Sequence, residues 1–271
     1  MTNSLMSDFD HPHCHVLGVR VSAVNMGAAV ELADRLIPSG QRGYISVTGV
    51  HGVMEAQADP KFRRILNGSF MCVPDGQPMN WVGHLQGFLA MSRVYGPDFM
   101  IELCRLSVKR GYRHFLYGGD VGVADRLRQR LVERVPGLNI VGTYTPPFRP
   151  LNSEEGEELK ALVKKTRPDI VWVGLSTPKQ ERFMSTYLGD LEVPLMVGVG
   201  AAFDIHCGIR KDAPSWMKKS GLQWVHRLFQ EPRRLAGRYL INNPKFIYLI
   251  SLQFMGLRSF RVESGELRPQ P

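Results

Sequence analysis

The sequence predicts an α/β protein with a mostly parallel sheet and helices on both faces, and three observations support this. Short apolar segments alternate with segments of helical pattern over most of the chain. Several apolar segments end in glycine or polar residues just before a helix, as strands do at the ligand-binding edge of an open sheet. Residues 169–174 are almost continuously apolar, which is typical of a buried parallel strand. Together these features predict a Rossmann-like sheet.

The predicted elements follow one another in a regular order. The predicted strands are residues 16–21, 44–48, 70–73, 113–117, 138–142, 169–174 and 195–199. The predicted helices run over about 22–37, 51–58, 60–67, 79–88, 99–111, 124–135 and 154–166, and another opens within 175–181. Ser22 or Asn25 is the expected cap of the first helix, and Ser153 that of the seventh. Beyond Asp204 the pattern becomes helical, over about 213–227 and again from Glu231.

Charge divides the chain into a neutral body and a basic tail. Residues 209–271 carry 12 Lys and Arg against 4 Asp and Glu, a net charge of +8, whereas residues 1–208 carry 22 against 21. We therefore divide the 271 residues into a loose lead-in (1–15), a Rossmann-like core (16–208) and a basic amphipathic appendage (209–271). A basic tail predicts an anionic partner, which is a membrane surface, nucleic acid or a phosphorylated substrate.

The apolar segment 246–257, flanked by Lys245 and Arg258, has two interpretations. It is too short to span a bilayer, which takes about 20 residues, but it could lie in the membrane interface beside its basic neighbours. Alternatively, it packs on its own domain or on a second copy of the chain. In the latter case the chain forms a homo-oligomer, which the sequence leaves open.

Cysteine usage and the N-terminal sequence exclude several classes of protein. The four cysteines are scattered without a CxxC pair, which argues against a disulfide framework or a zinc site and suits a reducing cytosol. No export signal and no membrane-spanning run are predicted. His11, His13, Cys14 and His15 could bind a metal, or they could be incidental residues of a loose end. The one D-x-D, at residues 8–10, lies outside the predicted core.

The segment MCVPDGQPMNW (71–81) places a carboxylate, Asp75, directly after a predicted strand. A carboxylate at the ligand-binding edge of the sheet is a candidate general base. Pro-Asp-Gly also forms turns readily, so Asp75 and Gly76 could serve only as a turn. Gln77 and Asn80, one turn into the next helix, could reach the same crevice.

A glycine-rich turn follows the predicted strand 113–117. Gly118, Gly119 and Gly122 precede a helix, and this arrangement can bind phosphate through backbone N–H groups and the helix N-terminus. It is not a strict GxGxxG, and a tight strand-to-helix turn without a ligand is the alternative.

Nine motifs, taken together and in order, carry a family resemblance over about residues 16–240. They are VPDG (73–76), RVYGPD (93–98), FLYGG (115–119), GTYTPPF (142–148), WVGLSTPKQE (172–181), VGVGAAFD (197–204) and the tail series APSW (213–216), GLQW (221–224) and EPRRL (231–235). The chain resembles the WecG/TagA/CpsF family of bacterial glycosyltransferases.

The resemblance implies an inverting transfer of a sugar from a UDP-sugar donor to a polyprenyl-diphosphate-linked saccharide acceptor. It implies that Asp75 is the base, that Arg93 meets phosphate and that Gln180 lines the site. The candidate substrate-binding residues are Thr48, His51, Asn80, Gly118, Gly119, Tyr144, Gly198, Gly200, Phe203 and Asp204. The appendage is expected to dock on the anionic inner face of the cell membrane, so that the chain is cytoplasmic and peripheral. Its arginines, Arg227, Arg234 and Arg238, are expected to complete the site.

No cofactor and no metal are expected, and nucleic acid is not a predicted partner. Because the core has no D-x-D, arginine and backbone N–H donors must stabilise the leaving diphosphate. Two competing hypotheses are a nucleotide-dependent Rossmann oxidoreductase that uses the 118–124 turn, and a basic binding module without chemistry.

Three departures from the family pattern bear on sugar specificity. Thr48-Gly49-Val50-His51 stands where Thr-x-Asn is common, so His51 could take over the polar role or face solvent. Gln223 replaces the usual glutamate, and Lys211-Asp212 precedes Ala213 where arginine is common. The donor sugar, which is N-acetylmannosamine, its uronic acid or glucose in the family, is therefore left open by the sequence.

Overall fold

The structure, a computed structural model, describes residues 9–263, without the side chains of Lys219 and Arg234. The strands are β1 (His13–Val16), β2 (Val19–Ser22), β3 (Gly43–Thr48), β4 (Met71–Pro74), β5 (Arg113–Gly118), β6 (Asn139–Tyr144), β7 (Ile170–Gly174) and β8 (Leu195–Gly198). The helices are α1 (Met26–Leu36), α2 (Val50–Ala58), α3 (Pro60–Asn67), α4 (Gln77–Leu85), α5 (Gly96–Arg110), α6 (Val123–Arg134), α7 (Ser153–Thr166), α8 (Lys179–Tyr187), α9 (Ala202–His206), α10 (Ser215–Lys219), α11 (Gln223–Gln230) and α12 (Pro232–Phe254).

Six parallel strands form the central sheet in the order β4-β3-β8-β7-β5-β6, which confirms the predicted α/β, Rossmann-like fold. The chain adds β4 outside β3 and then crosses to the far side of β8 and β7 to form β5. Such a reversal of strand order opens a crevice at the carboxyl ends of the central strands. The register aligns Thr48 with Pro74 and Ser46 with Gly198, so β3, β4 and β8 end close together at this edge.

Part of the tail belongs to the folded core. Phe246 and Leu249 of α12 are buried in a cluster with Val16, Val53 and Met79 from the body. Beside this cluster, the Gln253 amide accepts from the Leu17 N–H and donates to the His15 carbonyl, at 2.8 and 2.9 Å. The segment therefore packs on its own domain along one face, as one of the two interpretations of 246–257 requires.

The first predicted strand, residues 16–21, is wrong in its extent and in its partner. The structure has an antiparallel hairpin, β1 and β2, separate from the main sheet. Leu17 and Gly18 adopt left-handed backbone conformations, with φ of 51° and 80°, and so reverse the chain at that point. Cys14 is fully buried in this hairpin, so ordered packing begins before residue 16.

Two further helix assignments differ from the prediction. Asn152, not Ser153, caps α7, because its side chain accepts from the Glu155 N–H while the Glu155 carboxylate accepts from the Asn152 N–H. The predicted helix 213–227 is two short helices, α10 and α11, separated at Gly221, which has a φ of 78°.

Candidate active site

A cleft of about 1240 Å³ lies at the carboxyl ends of the central strands. Gly49, Asp75, Leu175 and Val199, which line it, each follow the end of one strand. The opposite wall comes from α11 and α12, so the tail closes the cleft over the sheet. The body's polar groups and the tail's apolar side chains thus share one cavity.

Backbone contacts fix Asp75 at the end of β4. Its N–H donates to the Thr48 carbonyl at 2.8 Å, which continues the pairing of β4 with β3. A side chain at residue 49 would come within 2.6 Å of the Asp75 carbonyl, so Gly49 permits this close approach. Gly76, with a φ of 93°, turns the chain into α4. Asp75 therefore belongs to a turn and also lines the cleft, so the two interpretations of this segment are compatible.

Arg93 connects Asp75 to the tail. Its Nε and Nη2 both donate to Asp75 Oδ1 at 3.0 Å, and Nη2 also donates to Gln223 Oε1. The guanidinium lies over the Tyr95 ring, 4.3 Å from its centroid. With 13% and 27% of their side chains exposed, Arg93 and Asp75 form a half-buried ion pair that an incoming anion can reach.

Gln180 lies at the ends of β7 and β8, where α8 begins. It is buried and lines the cleft, and its Nε2 donates to Glu181 Oε1 at 3.0 Å. The Thr177 hydroxyl donates to the same oxygen at 2.8 Å. Burial raises the pKa of the Glu181 carboxyl, although both of these hydrogen bonds oppose the shift.

Asp204 at the start of α9 lies in an ion-pair chain that reaches the tail. Arg210 donates from Nε to Asp204 and from Nη1 to Glu231, both at 2.7 Å. Burial raises the pKa of Asp204, and the Arg210 guanidinium opposes this shift. Arg210 thereby ties the last helix of the body to the beginning of α12.

The tail supplies cations and apolar groups to the cleft. Arg227 of α11 and Arg238 of α12 line it, as the sequence predicts, while the side chain of Arg234 lies outside the described part of the chain. Large apolar side chains lie on α4, α11 and α12: Trp81, Leu85, Trp224, Leu240, Ile247 and Phe254. The cleft therefore combines charged and polar groups with a large apolar surface.

The remaining predicted residues fall into three groups. His51, Gly198 and Gly200 line the cleft, and His51 Nδ1 lies 3.7 Å from the Glu55 carboxylate. Thr48 and Asn80 are buried beside it, and neither is among the described lining residues.

A third group of predicted residues lies outside the cleft lining in the described part of the chain. Gly118 lies so close to β7 that a side chain would come within 2.8 Å of the Gly174 backbone, which explains this glycine by packing. Gly119, Tyr144 and Phe203 likewise lie outside the lining, and the Phe203 ring packs on Gly174. A binding role for these four residues stays a prediction.

Two contacts add to what the sequence indicates. In the sequence, Gln223 stands out only as a departure from the family pattern that bears on sugar specificity. In the structure it contacts Arg93. Arg210 carries no motif signal of its own, yet it bridges the body and the tail. Within residues 9–263, no group of three or more His, Cys, Asp or Glu side chains could hold a metal ion.

The fold and the cleft define an α/β protein with a large cleft between a parallel sheet and a basic helical tail. The model of the glycosyl transferase WecG/TagA/CpsF family matches residues 14–259, and the chain belongs to this family. It is thus a glycosyltransferase.

Relatives of the chain carry one shared name, N-acetylglucosaminyldiphosphoundecaprenol N-acetyl-beta-D-mannosaminyltransferase. The protein from Bacillus spizizenii is 30% identical over 193 residues, which cover 71% of this chain and 72% of the relative. The one from Bacillus subtilis is 26% identical over 216 residues, or 80% and 82% of the two chains. A Staphylococcus aureus protein is 27% identical over 190 residues, or 70% and 72%.

Proposed function

We propose that this chain transfers a sugar from a UDP-sugar to a polyprenyl-diphosphate-linked saccharide with inversion at the anomeric carbon, and that Asp75 is the general base. The observation that carries the proposal is the pair of Asp75 and Arg93 in a cleft whose lining also includes large apolar side chains. A sugar diphosphate on a prenyl chain likewise combines a charged head with an apolar tail.

In the proposed reaction the Asp75 carboxylate takes the proton of the acceptor hydroxyl while that oxygen attacks the anomeric carbon of the donor. The bond from the anomeric carbon to the UDP oxygen breaks, and UDP leaves with both bonding electrons. Arg93 exchanges part of its contact with Asp75 for diphosphate oxygens, and Arg227 and Arg238 face the same cavity. We propose that these cations stabilise the leaving diphosphate without a divalent metal.

The relatives' shared name makes UDP-N-acetylmannosamine the first donor to test, and a prenyl-diphosphate N-acetylglucosamine the first acceptor. Full activity in the presence of a chelator is the expected result. Activity that is lost with chelator and restored by Mg²⁺ or Mn²⁺ contradicts the metal-independent mechanism.

We further propose that the chain binds the inner face of the cell membrane peripherally, through the tail. Among the described residues, no helix is long and apolar enough to cross a bilayer. The tail carries a net charge of +8 and exposes apolar side chains on α12, among them Ile241 and Tyr248. Both features favour an anionic lipid surface.

The decisive experiment is Asp75→Asn, assayed for sugar transfer and for UDP binding. Removing a general base lowers turnover by about 10²- to 10⁴-fold, while UDP binding should persist because Arg93 is retained. Asp190→Asn is the matched control, because Asp190 pairs with Lys160 on the surface away from the cleft lining. Unchanged turnover in Asp75→Asn rejects Asp75 as the base. Thermal stabilisation by NAD but not by UDP would instead support the oxidoreductase alternative.

A further inference from the structure

The side-chain amide of Gln180 has one satisfied end and one unsatisfied end. Its Nε2 donates to Glu181, whereas its Oε1 is buried and has no hydrogen-bond partner within the described part of the chain. An unpartnered buried acceptor costs about 1–3 kcal/mol, so a partner at this position contributes to binding. Gln180 is 3% exposed and lines the cleft.

Glycines on β8 and after it shape the space around this amide. A side chain at residue 198 would come within 3.0 Å of Gln180 Nε2, so glycine leaves room for the amide. The position of a side chain at residue 200 lies 3.5 Å from Gln180 Oε1, and Gly200 lines the cleft. Glycine at position 200 therefore leaves no side chain between this oxygen and the cleft on that side.

Glu181 determines which end of the amide faces the cleft. Its Oε1 accepts from both the Thr177 hydroxyl and Gln180 Nε2, so this oxygen acts as an acceptor. Burial raises the pKa of the Glu181 carboxyl. Because Oε1 accepts, the end of the Gln180 amide that is held toward Glu181 is the nitrogen.

We infer that Glu181 is a positioning residue that fixes Gln180 Oε1 toward the cleft, where it accepts a hydrogen bond from a neutral hydroxyl or amide N–H of the substrate. This inference rests on the proposed function. The chemistry excludes a phosphate as the partner of Gln180 Oε1, because a carbonyl oxygen cannot donate to an anion. The partner group belongs either to the nucleotide or to a saccharide, which is the transferred sugar or the acceptor, since both sources carry neutral donors.

A double-mutant cycle tests this role. Gln180→Met and Glu181→Met each remove one member of the pair, and each should lower kcat/KM about tenfold, as expected for one hydrogen bond of about 1.4 kcal/mol. The double variant should be no worse than Gln180→Met, because Glu181 acts through Gln180. Glu181→Gln should restore most of the activity lost in Glu181→Met, since it keeps an acceptor oxygen. Glu158→Met, on the exposed face of α7, is the matched control.

Losses that multiply to about a hundredfold in the double variant overturn the inference, because Glu181 would then act independently of Gln180. Unchanged kcat/KM in Glu181→Met also overturns it. Thermal unfolding of each variant identifies loss of fold. Wild-type turnover is measured first: its absence contradicts the proposed transfer, whereas turnover with multiplicative losses contradicts only the role of Glu181.

Binding of UDP alone, measured by calorimetry, distinguishes the two sources of the donor group. If Gln180→Met and Glu181→Met both weaken UDP binding, the hydrogen-bond donor belongs to the nucleotide. If UDP binding is unchanged while kcat/KM falls, the donor belongs to the transferred sugar or to the acceptor. Either result is compatible with the fixed orientation of Gln180, and weaker UDP binding in Glu181→Met but not in Gln180→Met contradicts it.

Discussion

The body and the tail hold their cleft residues by different means. In the body, the backbone at the ends of parallel strands positions Asp75 and Gln180, because each follows a strand that is hydrogen-bonded to its neighbours. In the tail, α12 rests on the body through a buried stripe that includes Phe246 and Leu249. The proposed base is thus at the edge of the sheet, while the cations and many of the apolar lining residues are on an element attached along one face.

This difference separates the structural role of the tail from the binding role that we propose for it. Its buried stripe completes a hydrophobic core, so deletion of residues 209–271 would also expose that core. Point substitutions on each face of α12 therefore test the comparison more sharply than truncation does.

Leu249→Ala tests the structural role and should have the largest effect. Leu249 is 6% exposed and packs with the hairpin and α2, and a buried leucine truncated to alanine costs about 2–5 kcal/mol. Chemical denaturation of both proteins measures this difference in the free energy of unfolding. Leu240→Ala is the control, because Leu240 on the same helix is 73% exposed and should change stability by less than about 0.5 kcal/mol. Equal, small effects would show that the tail is not part of the core.

The double substitution Arg227→Ala and Arg238→Ala tests the binding role of the tail. Both residues line the cleft, and charge-assisted hydrogen bonds contribute about 1.5–3 kcal/mol each. We expect kcat/KM to fall at least tenfold and about a hundredfold or more if both arginines contact diphosphate. Arg233→Ala removes one charge from the exposed start of α12 and serves as the control. A decrease as large in the control as in the double variant would indicate a general effect of charge.

Sequence pattern identified the body better than the tail, for a physical reason. A strand followed by a helix is a local signal, so the edge that carries Asp75 follows from alternation and apolar runs alone. The contact of Arg93 with Gln223 joins residues 130 positions apart and depends on the path of the tail. The hairpin was missed because Leu17, a non-glycine residue, adopts a left-handed conformation that composition does not indicate.

The apolar segment of the tail shows the same limit within a single helix. Phe246 and Leu249 are buried, whereas Ile247 and Tyr248 are 62% and 64% exposed. The sequence shows that the segment is apolar on more than one side. It does not show which side meets the body, because that depends on where α2 and the hairpin lie.

Ile241→Glu together with Tyr248→Glu tests whether the outer face of α12 binds membrane. These residues are seven positions apart, so they share a face of the helix, which also carries Lys245. Replacing exposed apolar groups by carboxylates should weaken binding to anionic vesicles about tenfold or more, as measured by vesicle co-sedimentation. Val121→Glu, at a 94% exposed site in the body, should leave binding unchanged. Transfer to a short, water-soluble acceptor should also be unchanged, because neither tail residue lines the cleft as described.

The smallest expected effect concerns the acid stability of the body. His114 of β5 is fully buried, accepts from Trp172 Nε1 at 2.8 Å, and burial lowers its pKa to about 3. In the unfolded chain His114 takes up a proton near pH 6.5, whereas in the folded chain it does so only near pH 3. Its contribution to the free energy of unfolding is therefore complete above pH 6.5 and is lost as the pH drops toward 3. At pH 6 the loss is about 1 kcal/mol.

His114→Gln isolates this contribution, because glutamine offers an acceptor to Trp172 and does not titrate. The variant's free energy of unfolding should fall less steeply than that of the wild type between pH 7 and pH 5, in denaturant titrations at each pH. Other histidines of the body, such as His13, also have a pKa lowered by burial, and their contribution cancels in the difference between the two proteins. Parallel pH curves would mean that His114 takes up its proton in the folded body. The folded sheet would then accommodate a charged side chain in spite of its close packing. The body and the half-exposed tail would differ less than their burial suggests.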